Sequence, residues 1–363
     1  LMQIMILRLL QKYGHQPIVL LGGGTTLIGD PSGKDSTRKI LKEKEIKNNI
    51  KSIKKVFEKL LFSKNKRTKV IFVNNYDWLG KLKYIDFLRD IGKHFTINKM
   101  LTFDSVKQRL DREQSLSYME FNYMILQAYD FYQLFKKHDC ILQLGGSDQW
   151  GNIVNGVDLI RRVLQKSAFG LTTPLITLSS GAKMGKTEKG AVWLDKKMFS
   201  PYDYWQFWRN TADEDVEKFL MYFTEGDIDQ LSKQIKNEKD INNLKILLAN
   251  KATTILHGSK AAKDSAETAR ETFVKGGLGK NIPEKIIQKR VISQGINIIE
   301  LIFQNNLVQS KSEARRILKN KGVKVNDVVI NEEKKIINME HVKEDDYIKL
   351  SIGKKNHLKV KVT

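Results

Sequence analysis

The sequence predicts an α/β chain: an open parallel sheet with crossover helices, then an all-helical region and a compact basic α+β module. Two observations in the first half carry that reading. Short apolar runs (Ile18-Val19-Leu20-Leu21, Val70-Ile71-Phe72-Val73, Cys140-Ile141-Leu142) alternate with helical patterns, the rhythm of strand–helix–strand units. Each run breaks into a polar turn rich in Gly or Asn, and in such sheets ligands bind beyond the carboxyl ends of the strands. A third observation divides the chain. Gly276-Gly277-Leu278-Gly279-Lys280-Asn281-Ile282-Pro283 has the composition of a linker, and a separate basic segment follows it.

Residues 1–12 have the apolar density of the middle of a helix. Gly14-His15-Gln16-Pro17 interrupts it, and the first strand leads into a Gly-rich loop, Gly-Gly-Gly-Thr-Thr-Leu-Ile-Gly-Asp-Pro-Ser-Gly-Lys (22–34). That loop is neither a Walker motif nor a Gly-x-Gly-x-x-Gly fingerprint, although Lys34 and Arg38 follow closely enough to face phosphates. Residues 39–69 place Ile46, Ile50, Ile53, Phe57 and Leu60-Leu61 at helical spacing among lysines. The second strand ends in Asn74-Asn75-Tyr76-Asp77-Trp78. Short helices then lead into a helix on which Tyr123, Gln127 and Asp130 stand at i, i+4 and i+7, on one face. An amide and a carboxylate in an aromatic stripe are costly to bury without polar partners, so the stripe reads as a pocket wall.

The stretch around which the rest is arranged is Leu-Gln-Leu-Gly-Gly-Ser-Asp-Gln-Trp-Gly-Asn (142–152), which sets Gln143, Asp148 and Gln149 at a strand end. A helix follows over 151–166 with Ile153, Val157, Ile160 and Leu164 inward, then a strand over 174–178 and a loop, 179–187, with two lysines around Gly185. Residues 200–275 read as helices with Trp205, Phe207, Trp208, Phe219 and Leu220 as core. Residues 296–303 and 312–319 read as short helices, and strands follow at 322–327, 347–350 and 358–362. Lys311, Arg315, Arg316 and Lys319 cluster on the second helix, which suits a phosphate backbone.

At 363 residues the chain has room for two or three domains. Its 63 Lys and Arg against 41 Asp and Glu give a formal charge of +22. That favours a polyanionic partner, nucleic acid first, although a lysine-rich composition alone is the plainer source of such charge. The single cysteine, Cys140, excludes an internal disulfide framework and a Cys-cluster zinc site, and the six histidines have no metal spacing, so no protein-bound metal is expected. No stretch is long and apolar enough to span a bilayer, and the first residues lack the basic start and small-residue cleavage site of a signal peptide. A cytoplasmic location and no membrane partner are expected.

Six segments together resemble the bacterial-type tyrosyl-tRNA synthetases, class I aminoacyl-tRNA synthetases, over essentially the whole chain. They are residues 22–34 quoted above, Asn-Asn-Tyr-Asp-Trp (74–78), Leu-Arg-Asp-Ile-Gly-Lys-His-Phe (88–95), Leu-Gln-Ala-Tyr-Asp-Phe (126–131), Gly-Gly-Ser-Asp-Gln-Trp-Gly-Asn (145–152) and Lys-Met-Gly-Lys-Thr (183–187). The resemblance implies ATP, with Mg²⁺, as substrate and tyrosine and tRNA(Tyr) as partners, in a homodimer joined through the catalytic domain near Tyr118 and Phe121. It implies that Asp30, Tyr123 and Gln127 hold the α-ammonium of tyrosine, that Asp130 accepts a hydrogen bond from the phenol, and that Gln143 lines the amino-acid pocket. Gly146, Asp148 and Gln149 contact ribose and the reacting carboxylate by the same likeness. Lys183, Lys186 and Thr187 match the mobile Lys-Met-Ser-Lys-Ser signature that binds departing pyrophosphate, and Thr25, Lys34 and Arg38 lie near the nucleotide. The C-terminal module looks like an S4-type RNA-binding domain. The expected division is a Rossmann-like catalytic domain over 1–199, a helical anticodon-side domain over 200–275, a linker over 276–295 and the S4-like domain over 296–363.

Two departures stand out. Position 185 is Gly where the general signature has Ser. The family's His-x-Gly-His segment and first strand have no counterpart in these residues, so the expectation is a chain that begins partway through a fold, lacks a central strand, and folds poorly or is inactive alone. The competing readings are a synthetase-derived RNA-binding protein without amino-acid activation, and the tryptophan-specific sibling, whose indole offers only an N–H donor.

Overall fold

The computed structural model describes residues 1–28, 41–113, 115–187, 190–274, 283–343, 346–353 and 356–363. The chain divides into two compact units, Leu1–Met184 and Gly185–Thr363.

The first unit opens with helix α1 (Met2–Lys12) and strand β1 (Ile18–Leu21). Helix α2 (Glu43–Leu60) and strand β2 (Ile71–Asn74) follow. Four short helices, α3 (Tyr76–Leu79), α4 (Tyr84–Asp90), α5 (Ile97–Leu101) and α6 (Asp104–Asp111), precede the long α7 (Tyr118–His138). Strand β3 (Leu142–Gly146), helix α8 (Trp150–Leu164) and strand β4 (Phe169–Thr173) complete it. The strands form two parallel pairs, β1 with β2 from Ile18↔Ile71 to Leu21↔Asn74, and β3 with β4 from Leu142↔Phe169 to Gly146↔Thr173. Among the described residues the two pairs are not hydrogen-bonded to each other.

Two sequence readings are corrected here. The strand expected over 174–178 lies upstream, at Phe169–Thr173, because Pro174 has no N–H to continue the ladder and ends the strand. Strand β3 begins at Leu142 and carries both glycines, while Ile141 is exposed and Cys140 is half-buried against the core. That core lies between α7 and α8, with Met124, Ile125, Phe131, Leu159 and Ile160 buried. The helices approach closely at Gly156, where an added Cβ would stand 2.9 Å from Phe131 Cβ.

The second unit begins with a two-residue ribbon, β5 (Lys186–Thr187) against β6 (Gly190–Ala191). Five helices follow: α9 (Pro201–Arg209), α10 (Val216–Phe223), α11 (Ile228–Asn237), α12 (Ile241–His257) and α13 (Ser259–Val274). Trp205, Trp208, Phe219 and Leu220 are buried there as expected, and Phe207 is half-buried.

The C-terminal module holds β7 (Glu284–Ile287), α14 (Lys289–Ser293), β8 (Ile296–Asn297), α15 (Ile298–Gln304), α16 (Lys311–Lys319), β9 (Val323–Val325), β10 (Val328–Ile330), β11 (Ile336–Ile337), β12 (Tyr347–Ile352) and β13 (Asn356–Val362). Its main sheet runs β10-β9-β12-β13-β7, and β11 pairs with β8. The expected linker over 276–295 therefore ends early. Residues 284–287 pair in parallel with β13, and Ile292 of α14 is fully buried in the module's core. Isoleucines at 286, 287 and 292 carry strand and core propensity that the neighbouring Gly-rich run obscures.

Candidate active site

The polar site of the first unit is built where β2 ends beside α7. Asp130, seven residues and about two turns after Tyr123 on α7, is only 1% exposed. Trp78 Nε1–H donates to its Oδ1 at 2.6 Å and Asn75 Nδ2–H to its Oδ2 at 2.9 Å. Each oxygen keeps a further lone pair for a third donor. Burial drives the Asp130 carboxyl up to about 7, and the hydrogen bonds from Asn75 and Trp78 hold it down only in part.

Asn75 is itself locked. Its Nδ2 also lies 2.9 Å from Thr25 Oγ1, and Gly24 N–H donates to its Oδ1 at 2.7 Å. One buried amide thus ties the Gly-rich loop to the carboxylate of α7. Asn74 makes the parallel tie, its Oδ1 accepting from Gly23 N–H at 3.2 Å and from Tyr76 N–H at 3.0 Å. A side chain on Gly23 would collide with that amide. In the sequence Asn75 and Trp78 stand in Asn-Asn-Tyr-Asp-Trp (74–78), one of the six segments that carry the family resemblance. Nothing in their spacing says that the turn after β2 reaches α7, which is a tertiary fact.

Tyr123 and Gln127 are half-buried on the Asp130 face of α7, so the helix brings the three together as its periodicity requires. Gln143 sits half-buried on β3, its Oε1 buried with no donor among the described residues. Gly146 ends that strand, and the turn Ser147–Gln149 follows it. Gln149 Nε2–H donates to Asp148 Oδ2 at 3.1 Å, and Asn152 Nδ2–H to Gln149 Oε1 at 3.1 Å, which leaves the Asp148 carboxylate at the solvent side. Helix α1 is fastened to the same strand ends through Gln3, whose Nε2–H groups reach Gly145 O at 3.0 Å and Thr173 Oγ1 at 2.7 Å.

Lys183 is exposed on a small hairpin rather than in an unsupported loop. Thr177 and Lys183 form an antiparallel bridge, Leu178 N–H donates to Ala182 O and Met184 N–H to Ile176 O, and Gly181 turns the chain at φ +80°. Lys186 and Thr187 lie on β5 in the second unit, where the backbone alone is described. Asp30, Lys34 and Arg38 lie outside the described residues. On α16, Lys311, Arg315, Arg316 and Lys319 are all exposed, but three of them meet carboxylates: Lys311 pairs with Glu300, Arg315 with Glu333 at 3.7 Å, and Lys319 with Glu333 at 3.9 Å. Among the described residues no group of three or more His, Cys, Asp and Glu side chains could hold a metal ion. No helix among them is long and apolar enough to cross a membrane.

Comparison with known proteins gives the geometry a context. The profile of the family described as tRNA synthetases class I (W and Y) matches residues 1–274, and that of the tyrosine–tRNA ligase SYY-like C-terminal domain matches residues 274–360. The tyrosine–tRNA ligase of Pelagibacter ubique is 62% identical over 362 residues, covering 100% of this chain and 88% of the relative. That of Xanthobacter autotrophicus is 52% identical, covering 99% and 86%. A crystal structure of a C-terminally truncated Aspergillus nidulans mitochondrial tyrosyl-tRNA synthetase superposes with a TM-score of 0.65 at 30% identity, over 75% of this chain and 81% of that one.

Proposed function

The chain belongs to the class I tRNA synthetases of the tryptophan and tyrosine group, and from that premise we propose the reaction and the residues that carry it. The protein is a tyrosine–tRNA ligase: it activates tyrosine with ATP to tyrosyl-adenylate and transfers the tyrosyl group to the 3′-terminal adenosine of tRNA(Tyr). Activation is in-line attack of a carboxylate on the α-phosphate, and it needs positioning and positive charge rather than a covalent enzyme intermediate.

The observation that carries the tyrosine assignment is Asp130. It is a buried carboxylate whose two oxygens accept from Trp78 and Asn75 and each keep a lone pair for one more donor, which a phenol O–H would supply. Phenylalanine in that pocket leaves the carboxylate one donor short, an unpaired polar group of the kind for which this enzyme family is the standard illustration. Asp30, Tyr123 and Gln127 take the α-ammonium, and Gln143 offers its Oε1, buried without a donor among the described residues, to the same substrate. Gly146, Asp148 and Gln149 take the ribose and the reacting carboxylate, with Thr25, Lys34 and Arg38 near the nucleotide. Lys183, Lys186 and Thr187 receive the pyrophosphate, and magnesium arrives with the ATP. Residues 1–199 form the catalytic domain, 200–275 the helical anticodon-side domain, and the C-terminal module contacts RNA through Lys311, Arg315, Arg316 and Lys319.

Two copies join through the catalytic domain. Tyr84, Ile85, Tyr118 and Met119 are exposed apolar or aromatic side chains of α4 and the start of α7, and Tyr84 Oη and Tyr118 Oη meet at 2.9 Å. A patch of that character on a monomer marks a protein interface.

Equilibrium binding of tyrosine, phenylalanine and tryptophan to the chain and to Asp130→Asn tests the reading. Tyrosine is expected to bind and the other two to bind far more weakly, and the variant is expected to lose most of the preference for tyrosine over phenylalanine. Equal binding of all three amino acids, or a preference for tryptophan, overturns it.

A further inference from the structure

We infer that the outer face of α2 is a second RNA-binding surface, separate from the C-terminal module, that takes the phosphodiester backbone without reading bases. The inference rests on RNA being a partner of this chain. Lys44, Lys47, Lys51, Lys55 and Lys59 recur at steps of three and four residues along α2. At 100° per residue they fall in one stripe, about 22 Å long. The opposite side of the helix carries Ile46, Ile50, Phe57 and Leu60. Ile46 and Leu60 are buried, and Ile46, Ile50 and Phe57 line the space against Val19 and Leu21 of β1. The helix is therefore docked by its apolar side and presents its cations outward.

Among the described residues, Lys44, Lys47, Lys51 and Lys55 are little used within the protein. Lys47 pairs with Glu43 at 3.5 Å, but both side chains are more than 70% exposed, and such a pair contributes little. Lys44, Lys51 and Lys55 enter none of the ion pairs found among the described residues. The stripe runs on into Lys64, Lys66, Arg67 and Lys69, all exposed, around the short turn Lys66–Thr68. Across residues 42–69 the only acids are Glu43, Glu45 and Glu58. None of the residues assigned to tyrosine or ATP lies on this helix.

The chemistry favours RNA over the other polyanionic surfaces. A membrane-surface helix buries its apolar face in lipid, whereas the apolar face of α2 is turned to β1. A protein interface has an apolar or aromatic centre, and the stripe has none. A row of cations on a rigid rod matches a row of phosphates, and each phosphate neutralised adds about 0.7 to 0.9 to the salt dependence of binding.

The test uses the full chain and measures its affinity for tRNA(Tyr) and for an unrelated structured RNA over a range of salt. The triple variant Lys44→Gln, Lys51→Gln, Lys55→Gln is expected to bind both RNAs more weakly and to lose about two from the slope of log K against log salt. Lys44→Arg, Lys51→Arg, Lys55→Arg is expected to keep both slope and affinity. A control triple, Lys233→Gln, Lys236→Gln, Lys239→Gln, removes the same charge from exposed positions in the second unit. Equal losses in the two glutamine triples would assign the effect to net charge and overturn the surface. So would an unchanged slope in the α2 triple. Should the α2 triple lose its thermal midpoint, Lys51→Gln alone gives the same reading at about a third of the effect. If the unmodified chain binds neither RNA, it is the reading of the chain as a tRNA ligase that fails. If it binds both and the α2 lysines do not matter, only the surface fails.

Discussion

Asp130 has chemistry that follows from its place. A carboxyl with an ordinary value of 3.8, held at about 7 by burial, keeps in the folded state a proton that the unfolded chain releases. Between about pH 4 and 7 the folded state binds more protons, so this group's contribution to stability is greatest at the acid end. It falls as pH rises and levels off above about 7. The full difference is about 4 kcal/mol. Asp130→Asn removes it, and the gap between wild-type and variant denaturant midpoints is expected to change with pH across that window; a gap that stays constant would mean that Asp130 titrates at its ordinary value. Asn75 is the second residue at this scale. Asn75→Ala strips a donor from Asp130, a partner from Thr25 and an acceptor from Gly24, and should cost about 2–3 kcal/mol of stability. It should also weaken tyrosine binding by more than it weakens ATP binding, which isothermal titration with each ligand checks. Of this site, the i, i+4, i+7 set on α7 was legible because helical periodicity alone gathers Tyr123, Gln127 and Asp130. Asn75 and Trp78 were not, because their role depends on where β2 delivers its following turn.

At the scale of elements, the start of α7 is held by an ion pair that the pocket does not use. Arg109 of α6 reaches Glu120 at 3.3 Å, with the two side chains 6% and 5% exposed, and it also donates to Ser115 O at 2.9 Å. Glu120 completes a capping box with Ser117, whose N–H and Oγ both meet its carboxylate. Removing one partner of a buried pair leaves the other charge uncompensated. Arg109→Ala is therefore expected to cost about 3–5 kcal/mol, read as a lowered urea midpoint, and Arg109→Ala with Glu120→Gln less than the sum of the two single changes. Strict additivity would show that the two side chains do not act as a pair. The helices themselves were the most readable elements, since α2, α7 and α8 each repeat their apolar positions over several turns. Strands were less so. Four or five apolar residues fix neither end of a strand, and Pro174, which opens the apolar run at 174–178, lies just beyond the end of β4.

For the molecule as a whole, the boundaries were harder to read than the contents. The Gly-rich run at 276–279 marks a break in composition, but composition alone does not say where the C-terminal module begins. The module includes β7, which closes one edge of the C-terminal sheet in parallel with β13 through Glu284↔Lys359 to Ile287↔Val362. It continues through α14, whose Ile292 packs among Ile298, Leu318, Ile348 and Val360 in a core belonging to this module alone. Residues 283–363 therefore contain a complete sheet and a complete core, and expressed alone they should unfold in one cooperative transition. A piece starting at 296, where the sequence places the start of the basic module, gives up the β7 ladder and a fully buried isoleucine. Loss of such a side chain by itself costs about 2–5 kcal/mol in a packed core, a large share of what a domain of this size has to spare. The longer piece should melt well above the shorter one in circular dichroism. Equal midpoints would mean that β7 and α14 merely lie against the module, and that its folding unit begins at β8.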